Sequence, residues 1–355
     1  MRPGGAPILV LNAGSSSIKA VAFDGDLRAV ARTEAAGIGT GGFRDHATAL
    51  TEVMSRMTAE GLPLAGLRAV AHRVVHGGTR LTQAVRITPA VRAEIAACIP
   101  LAPLHNPHHL AAIDWVAQAA PDLPQCASFD TAFHATAPEV ARRYALPQDA
   151  ATAGLMRYGF HGNSYAAMVD TLRHSEGGMP RRLLALHLGN GASACAILEG
   201  QSVATTMGYS PLAGLTMGTR SGDMDPGAVL ELARRLGVDA AETLLNQRSG
   251  LLGLSGLTSD MRTLEASDTP QARFAIAHFC YWAARHAAGL IPAMGGIDAI
   301  AFTGGIGENA QQIRDDIRSY LHWVGDVPVH VIPAAEEAFI ARQTDTLMKE
   351  TPDEP

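Results

Sequence analysis

Residues 8–23 read ILVLNAGSSSIKAVAF, and residues 182–200 read RLLALHLGNGASACAILEG. Each is a pair of aliphatic, β-prone runs joined by a turn of Gly, Asn, Ala and Ser, which predicts strand, turn, strand. A lone hairpin is marginal in water, so each must be completed by further strands and covering helices. Finding the pattern twice, far apart in one chain, predicts a duplicated fold with a phosphate-sized turn in each half. A third apolar run, IDAIAFTGGIGEN from Ile297, ends in a glycine turn and leads into AQQIRDDIRSYL, where Ile313, Ile317 and Leu321 recur at helical spacing. Helical patterns also cover PAVRAEIAACI, HLAAIDWVAQAA, AVLELARRLG and ARFAIAHFCYWAARHAAGLI, interleaved with the strands LRAVAHRVV and HVIP. The fold class is α/β.

The chain has 355 residues, a length that fits two domains of ordinary size. Lys and Arg total 28 against 34 Asp and Glu, a net charge of -6, so no basic face for a nucleic-acid backbone is implied. Cys98, Cys126, Cys195 and Cys280 are widely spaced and never form CxxC, which points to buried free thiols and not to a disulfide framework or zinc knuckle. The N-terminal MRPGGAPILV lacks the apolar core of a signal peptide. The apolar stretch Ala275 to Ile297 is interrupted by His278, Arg285, His286 and Pro292, so it predicts a buried helix and turn, not a membrane span. These features predict a cytoplasmic protein.

A turn that wraps phosphate needs glycines for close approach, free N–H groups, and a cation or hydroxyls near the outer oxygens. NAGSSSIK, LGNGAS and TGGIGEN each meet the first demand, although a single turn of this kind is commonly structural. There is no GxxxxGK[ST] motif, and GIGTGG lacks both a buried strand before it and the acidic residue that would complete a dinucleotide fingerprint. Arg73 in AHRVVHGG and Arg220 in MGTRSGDMDP stand among glycines and small residues, where a planar guanidinium has either an anion to bind or a structural salt bridge to make. Asp130 follows an apolar run, and His161 lies between Phe160 and Gly162. His72 and His76, and the cluster His105, His108 and His109, have no companion spacing that makes a zinc site.

Taken in order, LNAGSSSIK, HRVVHGG, APLHNP, FDTAFH, YGFHG, HLGNGAS, MGTRSGDMDP, SGLLGLSGLTSDMR, FTGGIGEN and IPAAEEAFIAR resemble the acetate kinase family. These are short-chain carboxylate kinases of the acetate and sugar kinase, Hsp70 and actin superfamily. The resemblance implies two duplicated RNase H-like domains of the actin-like ATPase fold, residues 1–132 with 336–355 and residues 133–335, with the active site in the cleft between them. It implies Mg²⁺ (or Mn²⁺), ATP and ADP as co-substrates, acetate as partner, and a homodimer without nucleic-acid or membrane partners. Carried over position by position, it puts Asn12 and Glu336 at the metal and Ser15, Ser17 and Lys19 at the phosphates. His187, Leu188, Gly189, Asn190, Gly191, Asp260, Met261, Arg262, Gly304, Gly305, Ile306, Gly307, Glu308 and Asn309 fall at the nucleotide. Arg73, Asp130, His161 and Arg220 match the catalytic set, with His105 beside them, while Val75, Leu104, Phe160 and Pro211 match the pocket for the substrate's methyl. After YGFHG the family commonly continues Thr-Ser-His, where this chain has Asn163, Ser164 and Tyr165; before Glu336 and Glu337 it has Ala334 and Ala335. The chain is also shorter than usual before HRVVHGG and before VPVHVIP.

A carboxylate is already ionised at neutral pH and needs no general base, so repulsion between two anions is what the site must overcome. That predicts cations in command: Arg73 on the carboxylate, Arg220 and His161 on the phosphoryl oxygens, and Asp130 as a partner for metal or arginine. The function implied is reversible in-line phosphoryl transfer from ATP to acetate. Alternatives are a propionate or butyrate kinase, an ATP-binding scaffold of the Hsp70 or actin type, a sugar kinase with Asp130 as base, and a pseudo-enzyme disabled by its deletions.

Overall fold

The structure is a computed structural model that describes residues 5–39 and 41–350. Residues 1–4, which enter the leader reading, Thr40 of GIGTGG, and residues 351–355 of the expected C-terminal return lie outside the described residues. The chain divides into two compact units: one runs to Phe133 and resumes at Ala335, and the other spans His134–Ala334.

The first unit holds β1 (Ile8–Ala13), β2 (Ser17–Phe23), β3 (Ala29–Ala36), β4 (Ala69–Val74), β5 (Val85–Arg86) and β6 (Gln125–Phe129) in one sheet of order β3-β2-β1-β4-β6-β5. The second holds β7 (Arg182–Leu188), β8 (Ala192–Leu198), β9 (Gln201–Thr205), β10 (Ala299–Thr303) and β11 (Val329–Val331) in the order β11-β10-β7-β8-β9. These are the same design. In each, the opening hairpin is antiparallel, its third strand adds antiparallel to the second, and the first strand pairs in parallel with a later strand that in turn pairs in parallel with another. Even the irregularity recurs, at Ala22/Phe23 between β2 and β3 and at Ala196/Ile197 between β8 and β9. The duplication expected from the two hairpins is therefore present in the topology.

Alternation of side chains along a strand explains why both hairpins read as unbroken apolar runs. Leu9, Leu11, Ile18 and Ala20 pack on one face of the first sheet with Leu50, Val53 and Met57 of the helix His46–Ala59. Ile8, Val10, Val21 and Phe23 pack on the other, against Ile340 and Ala341 of the C-terminal helix Glu336–Glu350. RAVARTEAA, a poor buried-strand candidate, forms the sheet-edge strand β3, five of whose eight residues are exposed.

One expectation is corrected. The sequence of TGGIGEN predicts a glycine turn between strand and helix, but Gly304–Asn309 is itself a short helix that starts where β10 ends. Gly304 makes the junction with φ +79°, where a Cβ would collide with the Leu188 carbonyl oxygen; glycine alone enters that region freely. The helix Pro270–Ala288 packs on β8 and on the helices Gly250–Ser255 and Gln311–Tyr320. It ends in a short 3₁₀ turn, Ile291–Met294, and exposes Phe274 and Tyr281, so it is buried on one side only. Among the described residues no helix is long and apolar enough to cross a membrane. All four cysteines are free and buried, as their spacing indicated.

Candidate active site

In the first unit the chemistry-bearing residues collect at the carboxyl ends of the parallel strands β1, β4 and β6, where open α/β sheets generally bind ligands. Asn12 and Arg73 are the penultimate residues of β1 and β4, and Asp130 follows directly after β6. Arg73 donates from Nη2 to Asp130 Oδ2 at 2.6 Å, from Nε to Oδ1 at 3.1 Å, and from Nη1 to Asn12 Oδ1 at 3.2 Å. Glu336, in the first turn of the C-terminal helix, lies 3.7 Å from Arg73 Nε. Burial alone would depress the guanidinium, but Asp130 and Glu336 more than offset it and keep Arg73 charged. Of the two sequence-level options for Arg73, a structural salt bridge is thus what the fold supplies, without excluding an anion on its remaining face.

Glu336 behaves oppositely. Burial, then the neighbouring Asp130 and Glu337, push its carboxyl up to about 7, although Arg73 and Lys19 pull the other way. Three carboxylates face too few cations, a surplus that a divalent ion would relieve. Because the folded pKa exceeds the ordinary 4.5, Glu336 costs stability as pH rises from about 4.5 through 7, and the penalty is complete above that. Glu336→Gln is therefore expected to raise unfolding free energy in chelator by about 1–3 kcal/mol at pH 8. The gain should vanish toward pH 4.5, as read by thermal melts across pH.

Three carbonyl oxygens of the loop Gly14–Ser17 accept hydrogen bonds. Gly14 O accepts from His46 Nε2 at 2.8 Å, Ser16 O from Ile38 N at 3.0 Å, and Ser17 O from Gly14 N at 2.8 Å. His46 is braced in turn by the His108 ring, stacked at 4.3 Å. In a trans peptide the N–H points opposite the C=O, so fixing the Gly14 carbonyl turns the Ser15 N–H outward. Exposed Ser15 and Lys19 lie on the same turn and hairpin. His46→Phe, which keeps a flat ring but no donor, is expected to weaken binding of a phosphate-bearing ligand at this turn by about fivefold, the worth of one hydrogen bond, as read by titration calorimetry.

In the second unit, His161 and Arg220 meet across Gly191. A Cβ at Gly191 would lie 3.2 Å from His161 Nε2 and 3.3 Å from Arg220 Nη2, so a side chain there would wedge between them. Arg220 is anchored by Nη1 donating to Pro211 O at 2.8 Å. Its loop is tied to the β7–β8 turn by Gly218 N donating to Asn190 O at 2.9 Å. His161 caps the helix Gly162–Arg173 with φ +59°, an uncommon left-handed backbone for a non-glycine residue. Its ring stacks on His187 at 4.1 Å, and a Cβ at Gly304 would reach within 3.2 Å of His187 Nε2. Leu188, Gly189, Asn190, Gly191, Gly304 and Gly305 therefore share one neighbourhood with His161, His187, Pro211 and Arg220.

Other expected residues stand apart or play structural parts. Asp260 caps the helix Met261–Glu265, and its carboxylate is held by the Thr263 N–H and by Arg262 at 2.9 Å. Ile306, Gly307, Glu308 and Asn309 continue the short helix, where Arg314 donates to the Gly307 and Glu308 carbonyls at 2.9 Å and Glu308 accepts from the Ala334 N–H. Val75 is buried, Leu104 exposed and His105 half-buried in the first unit; Phe160 is buried in the second. His72 donates to Gln125 at 2.7 Å, His76 Nδ1 accepts from the Gly78 N–H, and burial lowers both rings to about 4. Sequence reasoning missed His46, Ser164, Tyr165 and Ser193, whose roles depend on contacts across the fold.

The acetokinase family model matches residues 28–342. The chain belongs to the acetokinase family. It is 42% identical to the acetate kinase of Deinococcus radiodurans, over 96% of this chain and 98% of that one, and 44% identical to the acetate kinase of Rhodopseudomonas palustris, over 90% and 87%. Among solved structures it is similar to Porphyromonas gingivalis acetate kinase, with TM-score 0.89 and 32% identity over 97% of this chain and all of that one. It is also similar to a propionate kinase from Francisella tularensis, with TM-score 0.88 and 34% identity over 96% and 100%. The family's actin-like α/β design is the one seen in both sheets.

Proposed function

We infer that this member of the family catalyses ATP + acetate ⇌ ADP + acetyl phosphate by direct in-line transfer. The observation that carries this is the bidentate lock between Arg73 and Asp130. A sugar or other alcohol acceptor needs a carboxylate free to take its proton, whereas both Asp130 oxygens here accept from Arg73. An acid needs no base, only neutralisation, and cations are what the units offer. In this scheme Arg73 orients the acetate carboxylate, and Val75, Leu104, Phe160 and Pro211 enclose its methyl. Ser15, Ser17, Lys19, the 187–191 turn, residues 260–262 and residues 304–309 hold the nucleotide. Arg220 and His161 donate to the phosphoryl oxygens as charge moves from ADP to the new acyl phosphate. The same cluster argues against a scaffold or switch.

Asn12 and Glu336 present hard oxygen donors, suited to Mg²⁺ or Mn²⁺. Mg²⁺ takes one or two carboxylates and completes its shell with water and substrate phosphates, so a small set of protein oxygens suffices for it. The carboxylate surplus around Glu336 supports placing such an ion there. Bound there, it would neutralise nucleotide phosphate charge. We further assign a cytoplasmic homodimer, in line with the family; exposed Leu230, Phe274, Tyr281 and Trp323 offer apolar surface for an interface on the second unit, and light scattering tests it.

The likeness to a propionate kinase favours a second substrate. One methylene is worth about 1–3 kcal/mol in an apolar pocket, and buried Val75 is the side chain we assign to set the room, in line with the family. Parallel kcat/KM measurements with acetate, propionate and butyrate should rank acetate first, and Val75→Ala should shift the ranking toward propionate; propionate or butyrate first in the unaltered enzyme would transfer the assignment to the longer acid.

A further inference from the structure

We propose that Ser128 and Gln343 are positioning residues that set the register of the C-terminal helix Glu336–Glu350 on the first sheet, and with it the place of Glu336 at the metal. This rests on the function inferred above, in which Glu336 is one of the metal's oxygen donors. Helix and sheet meet along one line. Ala71 and Arg73 on β4 pair in register with Cys126 and Ser128 on β6, so these four side chains lie on one face of the sheet. Ala71 packs with Ile340 and Ala341, and the buried Thr344 hydrogen-bonds the Cys126 side chain. One step further along the strands, Ser128 Oγ donates to Gln343 Oε1 at 2.7 Å and Glu336 lies 3.7 Å from Arg73 Nε. At the far end Arg68, the residue before β4, donates from Nη1 to Asp345 Oδ1 at 2.6 Å. The helix thus runs from the carboxyl end of β4 back to its start.

Helix geometry ties Gln343 to Glu336. The two are seven residues apart, which puts them about 20° apart around the helix and about 10 Å apart along it. Of the buried residues on this helix, Ile340 and Ala341 are apolar, whereas Thr344 and Asp345 are polar. So small an apolar seat resists separation but discriminates poorly between neighbouring registers, because hydrophobic attraction has no direction. A slip of one residue would turn the helix by about 100° and move it by about 1.5 Å, carrying Glu336 off Arg73. Directional bonds penalise that slip. The Arg68–Asp345 pair pins the far end, and the Ser128–Gln343 bond pins the helix between that end and Glu336.

Ser128 itself is a sign that register matters. It is 2% exposed, in a strand where Cys126, Ala127 and Phe129 are buried and apolar. A buried hydroxyl costs stability unless it is hydrogen-bonded, and alanine would carry no such cost. The bond to Gln343 offsets it in this register and is lost in a slipped one, so the pair selects the docking that brings Glu336 beside Arg73.

The test is Mn²⁺ binding to the full-length protein in the presence of ADP, followed by electron paramagnetic resonance at a temperature where melts show every variant folded. Glu336→Gln serves as the reference for loss of the donor. Expected is an affinity weakened by about 10-fold in Ser128→Ala and in Gln343→Leu, the lower end of what loss of an orienting partner costs a metal site. The double variant should be no weaker than either single one, since both remove the same bond. Gln343→Glu, which keeps an oxygen at that reach, should stay within about twofold of the unaltered protein. Lowered melting temperatures with unchanged Mn²⁺ affinity in both single variants, while Glu336→Gln weakens it, would make the pair a structural tie and overturn the proposal. Unchanged affinity in Glu336→Gln would take Glu336 away from the metal and overturn it too. Absence of acyl phosphate from the unaltered enzyme would instead sink the function, while Mn²⁺ binding would still decide the positioning.

Discussion

Arg220→Ala is expected to lower kcat for acyl phosphate formation by about 10³-fold or more, the range associated with removing an arginine that stabilises a moving phosphoryl group. Arg220 is held by the Pro211 carbonyl through Nη1, and its Nη2 lies beside Gly191, opposite His161. Its contribution grows as negative charge spreads over the equatorial oxygens, so the loss should fall on kcat and leave the KM for ATP nearly unchanged. Lysine should recover little, because a point charge cannot replace a planar fork held at one end by a carbonyl. Steady-state kinetics on the alanine and lysine variants, alongside thermal melts, check this. Equal loss in kcat and in stability would mean that Arg220 only braces its loop.

Arg73→Ala carries the second large effect, and it divides into two parts. Asp130 is 1% exposed and accepts two hydrogen bonds from Arg73, while Glu336 lies 3.7 Å from the same guanidinium. Removing the cation strands buried carboxylates, which costs on the order of 3 kcal/mol of stability. It also removes the group that orients the acid, so kcat/KM for acetate should fall by at least about 10²-fold. The double variant Arg73→Ala with Asp130→Asn separates the two parts. Removing the orphaned charge should restore much of the melting temperature and none of the activity. If activity returned with stability, Arg73 would be a structural tie and the acid would be held elsewhere.

The sequence yields most where a short window contains the whole cause. Both hairpins were legible because strand alternation and turn residues lie within about 20 positions of one another. The glycine at Gly191 and the arginines at Arg73 and Arg220 were legible as residue types in unusual settings. The helix Gly304–Asn309 was not, since three glycines in six residues argue for a turn; its ends are fixed by the strand before it and by Arg314 on the carbonyls behind it. Nor could His46 be linked to Gly14 across 32 positions, or Ser193 to His161 across another 32. Those links exist because the sheets bring distant segments together, and no local pattern encodes them. The surplus of carboxylates around Arg73 likewise becomes visible only when β4, β6 and the last helix converge.

The central claim is that a free carboxylate is the phosphoryl acceptor and that cations, with no general base, drive the transfer. It is tested most directly by trapping product with hydroxylamine in the presence of ATP, Mg²⁺ and acetate, propionate or butyrate in parallel, with Arg220→Ala as control. Expected is acyl hydroxamate from all active acids, greatest with acetate, and none above background from the variant. ADP release without hydroxamate for any acid, or equal product from the Arg220→Ala control, would contradict it.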